Sequence, residues 1–387
     1  MSSLYFDLQV AEITRETADA ITIHLEHPEK KVTPYKSGQF LTLILPINGQ
    51  EVRRSYSLSS TPEEGSRLSV TVKRVAGGLA SSFLIEKLKV GDTLKVMEPL
   101  GNFCLTCDPA EKRHIILFGA GSGITPLMSI LKSVLTEEPA SQVTLLYGNR
   151  DESSVIFKEQ LRQLQKKFSG RLHIEYIYSQ SSNAPKPKSA GLGFLNKLFG
   201  SKQQDQSQSS GPENVHYGRM NQSTVIKILE RLNLTKPANA LYFVCGPQGM
   251  MEEVLHALNV LHVPKDRIYK ESFITIKPAN EQEKQGTVSA GEDGKIQPQA
   301  VTLLYEGAEY SLKVQPSQTI LEAALKEGID LPYSCQAGLC TACRGKCLSG
   351  KVHLDESDGL SEAELEEGYV LNCVGHPLTD DVIIQIG

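Results

Sequence analysis

Four cysteines near the C-terminus constrain this chain more than any other feature. Cys335, Cys340, Cys343 and Cys373 are spaced C-x4-C-x2-C-x29-C. Three close thiolates suit one loop wrapped around a metal centre, and a remote fourth closes the cage. This is a ligand spacing for a [2Fe–2S] cluster, in which sulfur surrounds each iron tetrahedrally. Ala337, Gly338, Thr341 and Ala342 lie between the cysteines. Small side chains there let backbone N–H groups approach the bridging sulfides. A structural zinc site is the other reading, but such sites usually show two C-x2–4-C pairs. The three-plus-one split here favours iron–sulfur. Cys347 lies outside the pattern, as a substitute ligand or a small buried residue. His376 follows Cys373 by three residues, but the second Cys/His pair of a Rieske centre is missing.

The chain has 387 residues, enough for two or three domains with their own cores. Its net charge of −5, from 40 basic and 45 acidic residues, gives no nucleic-acid footprint. The N-terminus lacks a basic region followed by an apolar stretch, and no apolar run reaches the ~20 residues needed to span a bilayer. The expectation is a cytoplasmic, reducing compartment, with cysteines free for metal and no membrane span.

Residues 1–107 read as short strands and turns, the pattern of a small antiparallel barrel. Residues 108–277 alternate apolar strands with helical segments, which implies a parallel α/β sheet. Helices are expected at Pro126–Leu135, Ser154–Phe168, Thr224–Leu232 and Gly249–Leu258. A polar insertion interrupts this region at about 179–215. Within it, Gly193–Phe199 has the pattern of one or two amphipathic turns. Residues 278–299 read as a polar linker. Residues 300–387 form a third unit with two strands, a helix at Thr319–Glu327, the cysteine loop and a final strand at Val382–Ile386.

Two phosphate-type turns stand upstream. Arg54, Tyr56 and Ser57 lie on a barrel strand, where an Arg can neutralise a pyrophosphate, a Tyr can pack on an isoalloxazine and a Ser can bond a flavin nitrogen. An ordinary strand is the plainer reading of these residues alone. Gly78 and Ser81 follow in a Gly-Gly-Leu-Ala-Ser turn before a helix, whose N–H groups can hold a pyrophosphate. Gly119, Gly121, Gly123, Thr125 and Pro126 form a second strand–turn–helix, also suited to a pyrophosphate. Arg150, after the next strand, is either a clamp for an adenosine 2′-phosphate or a solvated surface residue. The scattered histidines form no hydrolytic motif.

Taken in order, these motifs resemble the ferredoxin–NADP⁺ reductase family, in the layout that carries a C-terminal plant-type ferredoxin. R-x-Y-S at Arg54–Ser57, G-x-x-S at Gly78–Ser81, G-x-G-x-T-P at Gly121–Pro126, C-G-P at Cys245–Pro247 and the cysteine loop carry the likeness. Glu367–Cys373 is similar to the segment bearing the fourth ligand. The resemblance implies a multidomain fold: an antiparallel β-barrel FAD domain, a parallel-sheet α/β NAD(P)-binding domain and an α+β β-grasp ferredoxin domain. It implies that Val72, Lys73 and Val75 meet FAD through their backbones. It also implies that Cys245, Gly246 and Pro247 lie by the nicotinamide, and Glu271 and Phe273 near the flavin. The implied catalytic residues are Cys245, Tyr56 and Ser57; the implied ligands are Cys335, Cys340, Cys343 and Cys373. The implied cofactors are FAD, a [2Fe–2S] cluster and NADPH, with NADH the alternative because Ser179-Gln180 lacks a second basic residue often found in relatives. The layout resembles reductases of multicomponent oxygenases, among them the reductase of the di-iron phenylacetyl-CoA epoxidase of phenylacetate catabolism. Another hydroxylase, a desaturase or a hybrid-cluster protein would be served by the same electron chain. A zinc-stabilised binding module without turnover is the reading from a different class.

Overall fold

The computed structural model describes residues 5–180, 214–273, 298–357 and 359–387. Its first sheet contains β1 (Tyr5–Thr17), β2 (Ala20–Glu26), β3 (Phe40–Ile47), β4 (Gln50–Ser57), β5 (Arg67–Lys73) and β6 (Thr93–Met97). The order is β4-β3-β6-β1-β2-β5, and all pairings are antiparallel. A bridge between Leu58 and Val70 joins the two outer strands and closes the barrel. Inward residues such as Leu8, Ile23, Leu43, Val70 and Val96 fill it. Helix α1 (Leu79–Glu86) caps the turn after β5.

The second sheet is parallel: β7 (His114–Ala120), β8 (Gln142–Asn149), β9 (Leu172–Tyr178), β10 (Val215–Tyr217), β11 (Ala240–Gly246) and β12 (Ile268–Ser272), in the order β10-β9-β8-β7-β11-β12. Strand alternation gives it two cores. Ile115 and Leu117 face one layer, which includes α2 (Ile124–Glu137) and α3 (Lys158–Lys167). Ile116 and Phe118 face the other, with α4 (Gln222–Arg231) and α5 (Gln248–Val260). Helix α2 is buried on nearly every side, because its polar face meets the barrel: Ser129 donates to the Ser60 carbonyl at 2.5 Å and Lys132 pairs with Glu64 at 2.6 Å.

The third sheet contains β13 (Gln299–Tyr305), β14 (Ala308–Val314), β15 (Arg344–Ser349), β17 (Tyr369–Leu371) and β19 (Val382–Ile386), in the order β14-β13-β19-β15-β17. Helix α6 (Ile320–Lys326) packs on it. A small ribbon of β16 (Val352–Leu354) and β18 (Gly375–Pro377) and the short α7 (Glu362–Glu366) complete the unit.

Several sequence expectations need correction. The helix expected over Ser154–Phe168 begins only at Lys158. Val155 is extended, with ψ 108°, and Val155, Ile156 and Phe157 are all buried ahead of the helix. Phe157 turns the chain with φ +61°. The polar insertion ends sooner than expected, because Val215 already pairs in β10. That edge strand is held by the fully buried Glu175, which takes His173, His216 at 2.5 Å and Arg231 at 2.5 Å. The linker likewise ends before Gln299, the first residue of β13. Most of both segments, including the Gly193–Phe199 turns, lies outside the described residues. Among the described residues no helix is long and apolar enough to cross a membrane.

Candidate functional site

The strand order of the parallel sheet reverses between β7 and β11, the point at which sheets of this kind leave a crevice at the C-terminal ends of their strands. Gly119, Gly121, Gly123, Thr125 and Pro126 lie on the β7 side, and Cys245, Gly246 and Pro247 on the β11 side. The two turns touch so closely that side chains are excluded. A Cβ on Gly123 would stand 2.1 Å from the Cys245 carbonyl oxygen, and one on Gly246 would stand 3.3 Å from the Ala120 nitrogen. Gly121 has φ +55°, and its carbonyl accepts from the Tyr147 hydroxyl at 3.0 Å. Thr125 Oγ1 donates to the Ser122 carbonyl at 2.9 Å, tightening the start of α2. The Lys73 amine comes within 3.4 Å of where a Gly121 Cβ would be. Burial lowers the pKa of this amine. Beyond the crevice, Arg150 pairs with Asp19 of the barrel at 3.1 Å. Buried Asn149 makes no side-chain hydrogen bond of normal geometry among the described residues. Glycine-lined backbone, a cation over the turn and an orphaned amide fit a dinucleotide.

The barrel contributes the opposite wall. Arg54 is exposed and donates to the Arg53 carbonyl at 2.6 Å. Tyr56 packs against the barrel core, and burial raises its pKa. After β5, the Ser81 hydroxyl accepts from the Val75 N–H at 3.1 Å and donates to the Gly78 carbonyl at 3.3 Å. Gly78 is the N-cap of α1, and a Cβ there would meet Ser81 Oγ and Val75 Cβ, each at 2.8 Å. An exposed guanidinium on β4 and a glycine-capped helix start are groups that suit the pyrophosphate of FAD.

Ser57 ties the two walls together by donating to Glu271 Oε2 at 3.2 Å. Glu271 stands opposite Cys245 in the β11–β12 register. Burial pushes its carboxyl up to about 8 against the opposing Ser57 hydrogen bond, and it pushes the Cys245 thiol well up. Phe273, at the end of the described segment, is 41% exposed. The folded protein therefore holds the Glu271 proton at pH values where the unfolded chain has lost it. Stability from this group is full below the ordinary carboxylate range and is lost as pH rises through about 8. Denaturation of Glu271→Gln between pH 5 and 9 should show that slope flattened, by at most about 3 kcal/mol after allowance for partial exposure.

The four cysteines converge. Cys335 takes hydrogen bonds from Cys340 and Cys373, which hold its thiol far below the ordinary value, and Cys373 also meets Cys343. The same contacts push Cys340 and Cys373 upward. The Ala337 N–H points at Cys335 Sγ, 3.4 Å away. Among the described residues no three His, Cys, Asp or Glu groups gather about one ion position. The thiols instead run as a chain, Cys340–Cys335–Cys373–Cys343. Four thiols brought together in this way are the donor set that an iron–sulfur cluster would require. Cys347 stands apart, its thiol donating to the Ser349 carbonyl at 3.1 Å.

Sequence reasoning missed the contacts that join the cluster loop to the barrel. Ser55 and Ser334 hydroxyls are 2.5 Å apart, Arg53 reaches Asp330 at 2.9 Å and Asn102 reaches Glu364 at 2.7 Å. Lys73, expected to act through its backbone, also presents its amine to the glycine turn.

Family models match three stretches: an oxidoreductase FAD-binding domain over residues 7–104, an oxidoreductase NAD-binding domain over 117–208 and a 2Fe-2S iron-sulfur cluster binding domain over 304–378. The chain is 33% identical over 384 residues to one of the subunits of 1,2-phenylacetyl-CoA epoxidase from Escherichia coli (strain K12), covering 98% of this chain and 97% of the relative. It is 33% identical over 382 residues to the ferredoxin reductase component of 3-ketosteroid-9-alpha-monooxygenase from Rhodococcus rhodochrous, covering 98% and 96%. The solved structure of phthalate dioxygenase reductase shares the fold, with a TM-score of 0.56 at 21% identity over 99% of this chain and 98% of that one.

Proposed function

The chain belongs to the family of reductases that join FAD-binding and NAD-binding domains to a [2Fe–2S] domain, and from that premise we propose which residues carry its electrons and which protein receives them. It is an NAD(P)H-dependent oxidoreductase that passes electrons through FAD and a [2Fe–2S] cluster. FAD supplies the conversion between a two-electron hydride and single electrons, and the cluster supplies a one-electron site.

In our reading the glycines of residues 119–123, with Thr125 and Pro126, hold the nicotinamide nucleotide's pyrophosphate at the start of α2. Cys245, Gly246 and Pro247 border the nicotinamide, where the tight β11 turn leaves no room for further side chains. Arg54 and the N–H groups around Gly78 and Ser81 neutralise the flavin pyrophosphate, while the backbones of Val72, Lys73 and Val75 line the flavin. Tyr56 packs on the ring system. Ser57 is positioned by Glu271 to hydrogen-bond it, and Phe273 borders it. Cys335, Cys340, Cys343 and Cys373 hold the cluster. The observation carrying this route is that one strand, β4, bonds to the nucleotide domain at Ser57 and to the cluster loop at Ser55.

The proposed acceptor is an oxygenase component, and specifically that of a phenylacetyl-CoA epoxidase. Equal identity to the 3-ketosteroid monooxygenase reductase supports a steroid hydroxylase as the second reading. Parallel reduction of purified acceptor proteins with NADPH and NADH tests both. Fastest reduction of the epoxidase supports the first, and preference for the steroid hydroxylase refutes it. Free cysteines and nicotinamide use support placement in the cytoplasm.

Arg150 is read as the clamp for a 2′-phosphate, released from Asp19 by the ligand. Arg150→Ala should raise KM for NADPH about tenfold or more with little change for NADH. Steady-state kinetics with both nucleotides checks it, and an equal rise for both would contradict the role.

A further inference from the structure

Arg53 neighbours the flavin-motif Arg54 but lies on the other side of β4, and it is only 5% exposed. Its guanidinium bonds Glu51 at 2.7 Å, the Tyr5 hydroxyl at 3.0 Å and Asp330 at 2.9 Å. It also lies over the Tyr333 ring, 4.3 Å from the centroid. Asp330 and Tyr333 belong to the segment leading into Cys335. Two residues along the strand, Ser55 meets Ser334, which is 1% exposed and adjacent to that cluster ligand.

We propose that Arg53 is a positioning residue that seats the cluster loop on the flavin strand and so sets the rate of flavin-to-cluster electron transfer. The inference rests on β4 being the flavin strand. In the step concerned, one electron leaves the reduced flavin and one ferric iron of the cluster becomes ferrous. Arg53 makes and breaks no bond. Its part is geometric: electron transfer slows steeply with separation, and the latch fixes that separation. Asp330 is 63% exposed, so its ion pair alone contributes little. The hold comes from a rigid planar fork that is buried, stacked on Tyr333 and bonded on three sides at once. A lysine retains the charge but supplies neither fork nor stacking plane.

The test uses the full-length holoprotein with Arg53→Ala and Arg53→Lys. Stopped-flow absorbance should show flavin bleaching by NAD(P)H at the wild-type rate. Flavin-to-cluster transfer should fall at least about tenfold in Arg53→Ala, and by a similar factor in Arg53→Lys. Small-angle scattering should show a larger radius of gyration for Arg53→Ala, while visible circular dichroism shows an unchanged cluster. Wild-type transfer and wild-type scattering in Arg53→Ala would overturn the proposal. Should Arg53→Ala not fold, wild-type transfer in Arg53→Lys would overturn it equally. Absence of flavin bleaching in the wild type would refute the underlying electron route, an outcome distinct from a wild-type transfer rate in the variants.

Discussion

Cys373→Ser is expected to cut reduction of a cluster-dependent acceptor at least about a thousandfold, while ferricyanide reduction directly from the flavin stays within about twofold. The buried Cys373 thiol touches both Cys335 and Cys343, so it closes the cage. A serine hydroxyl is a poor ligand for iron at neutral pH, and one iron would be left with an incomplete sulfur shell. The damage stays local because the third sheet has its own hydrophobic core, separate from those of the barrel and the parallel sheet. Visible and electron paramagnetic resonance spectra check this directly: the flavin bands should remain and the iron–sulfur signal should vanish. Retention of both would contradict the assignment of Cys373.

Gly123→Ala is expected to be the most damaging single methyl in the nucleotide domain. Its Cβ would stand 2.1 Å from the Cys245 oxygen, 2.5 Å from the Cys245 carbon and 2.9 Å from the Gly246 nitrogen, all backbone atoms that no rotamer change can move. The two turns must separate, at a cost of at least about 3 kcal/mol. The same displacement moves Cys245 from its place beside Glu271, so reduction of the flavin by NAD(P)H should fall at least about a hundredfold. Gly119→Ala is the control. Its nearest obstacle at 2.8 Å is the Leu127 Cδ1 methyl, which can shift, so the variant should be milder. Thermal denaturation and single-turnover kinetics on both variants test the contrast, and equal losses would contradict it.

Much of the fold and site is legible in residues whose chemistry is local. The C-x4-C-x2-C loop and the glycine turns carry their function in their own spacing, and the apolar run in His114–Ala120 marks a strand buried on both faces. Helical periodicity overextends α3 because it cannot see that Val155–Phe157 plugs the core before the helix begins. Strands β12 and β15 escape a pattern reading because their segments, Ile268–Ser272 and Arg344–Ser349, are short and carry polar residues at mostly half-buried positions. Long-range contacts are beyond reach for another reason. Nothing in Arg53 or Ser55 names Asp330 or Ser334 as partners 277 and 279 residues away. The Ser57–Glu271 contact is hidden in the same way, although the motifs single out both residues separately.

The most direct test of the account is anaerobic mixing of the full-length holoprotein with one equivalent of NAD(P)H, followed by diode-array absorbance. The account predicts that the flavin bands bleach first and the iron–sulfur bands fall only afterwards, with no cluster reduction in protein stripped of FAD. Cluster bleaching that precedes flavin reduction, or that persists without FAD, would contradict it.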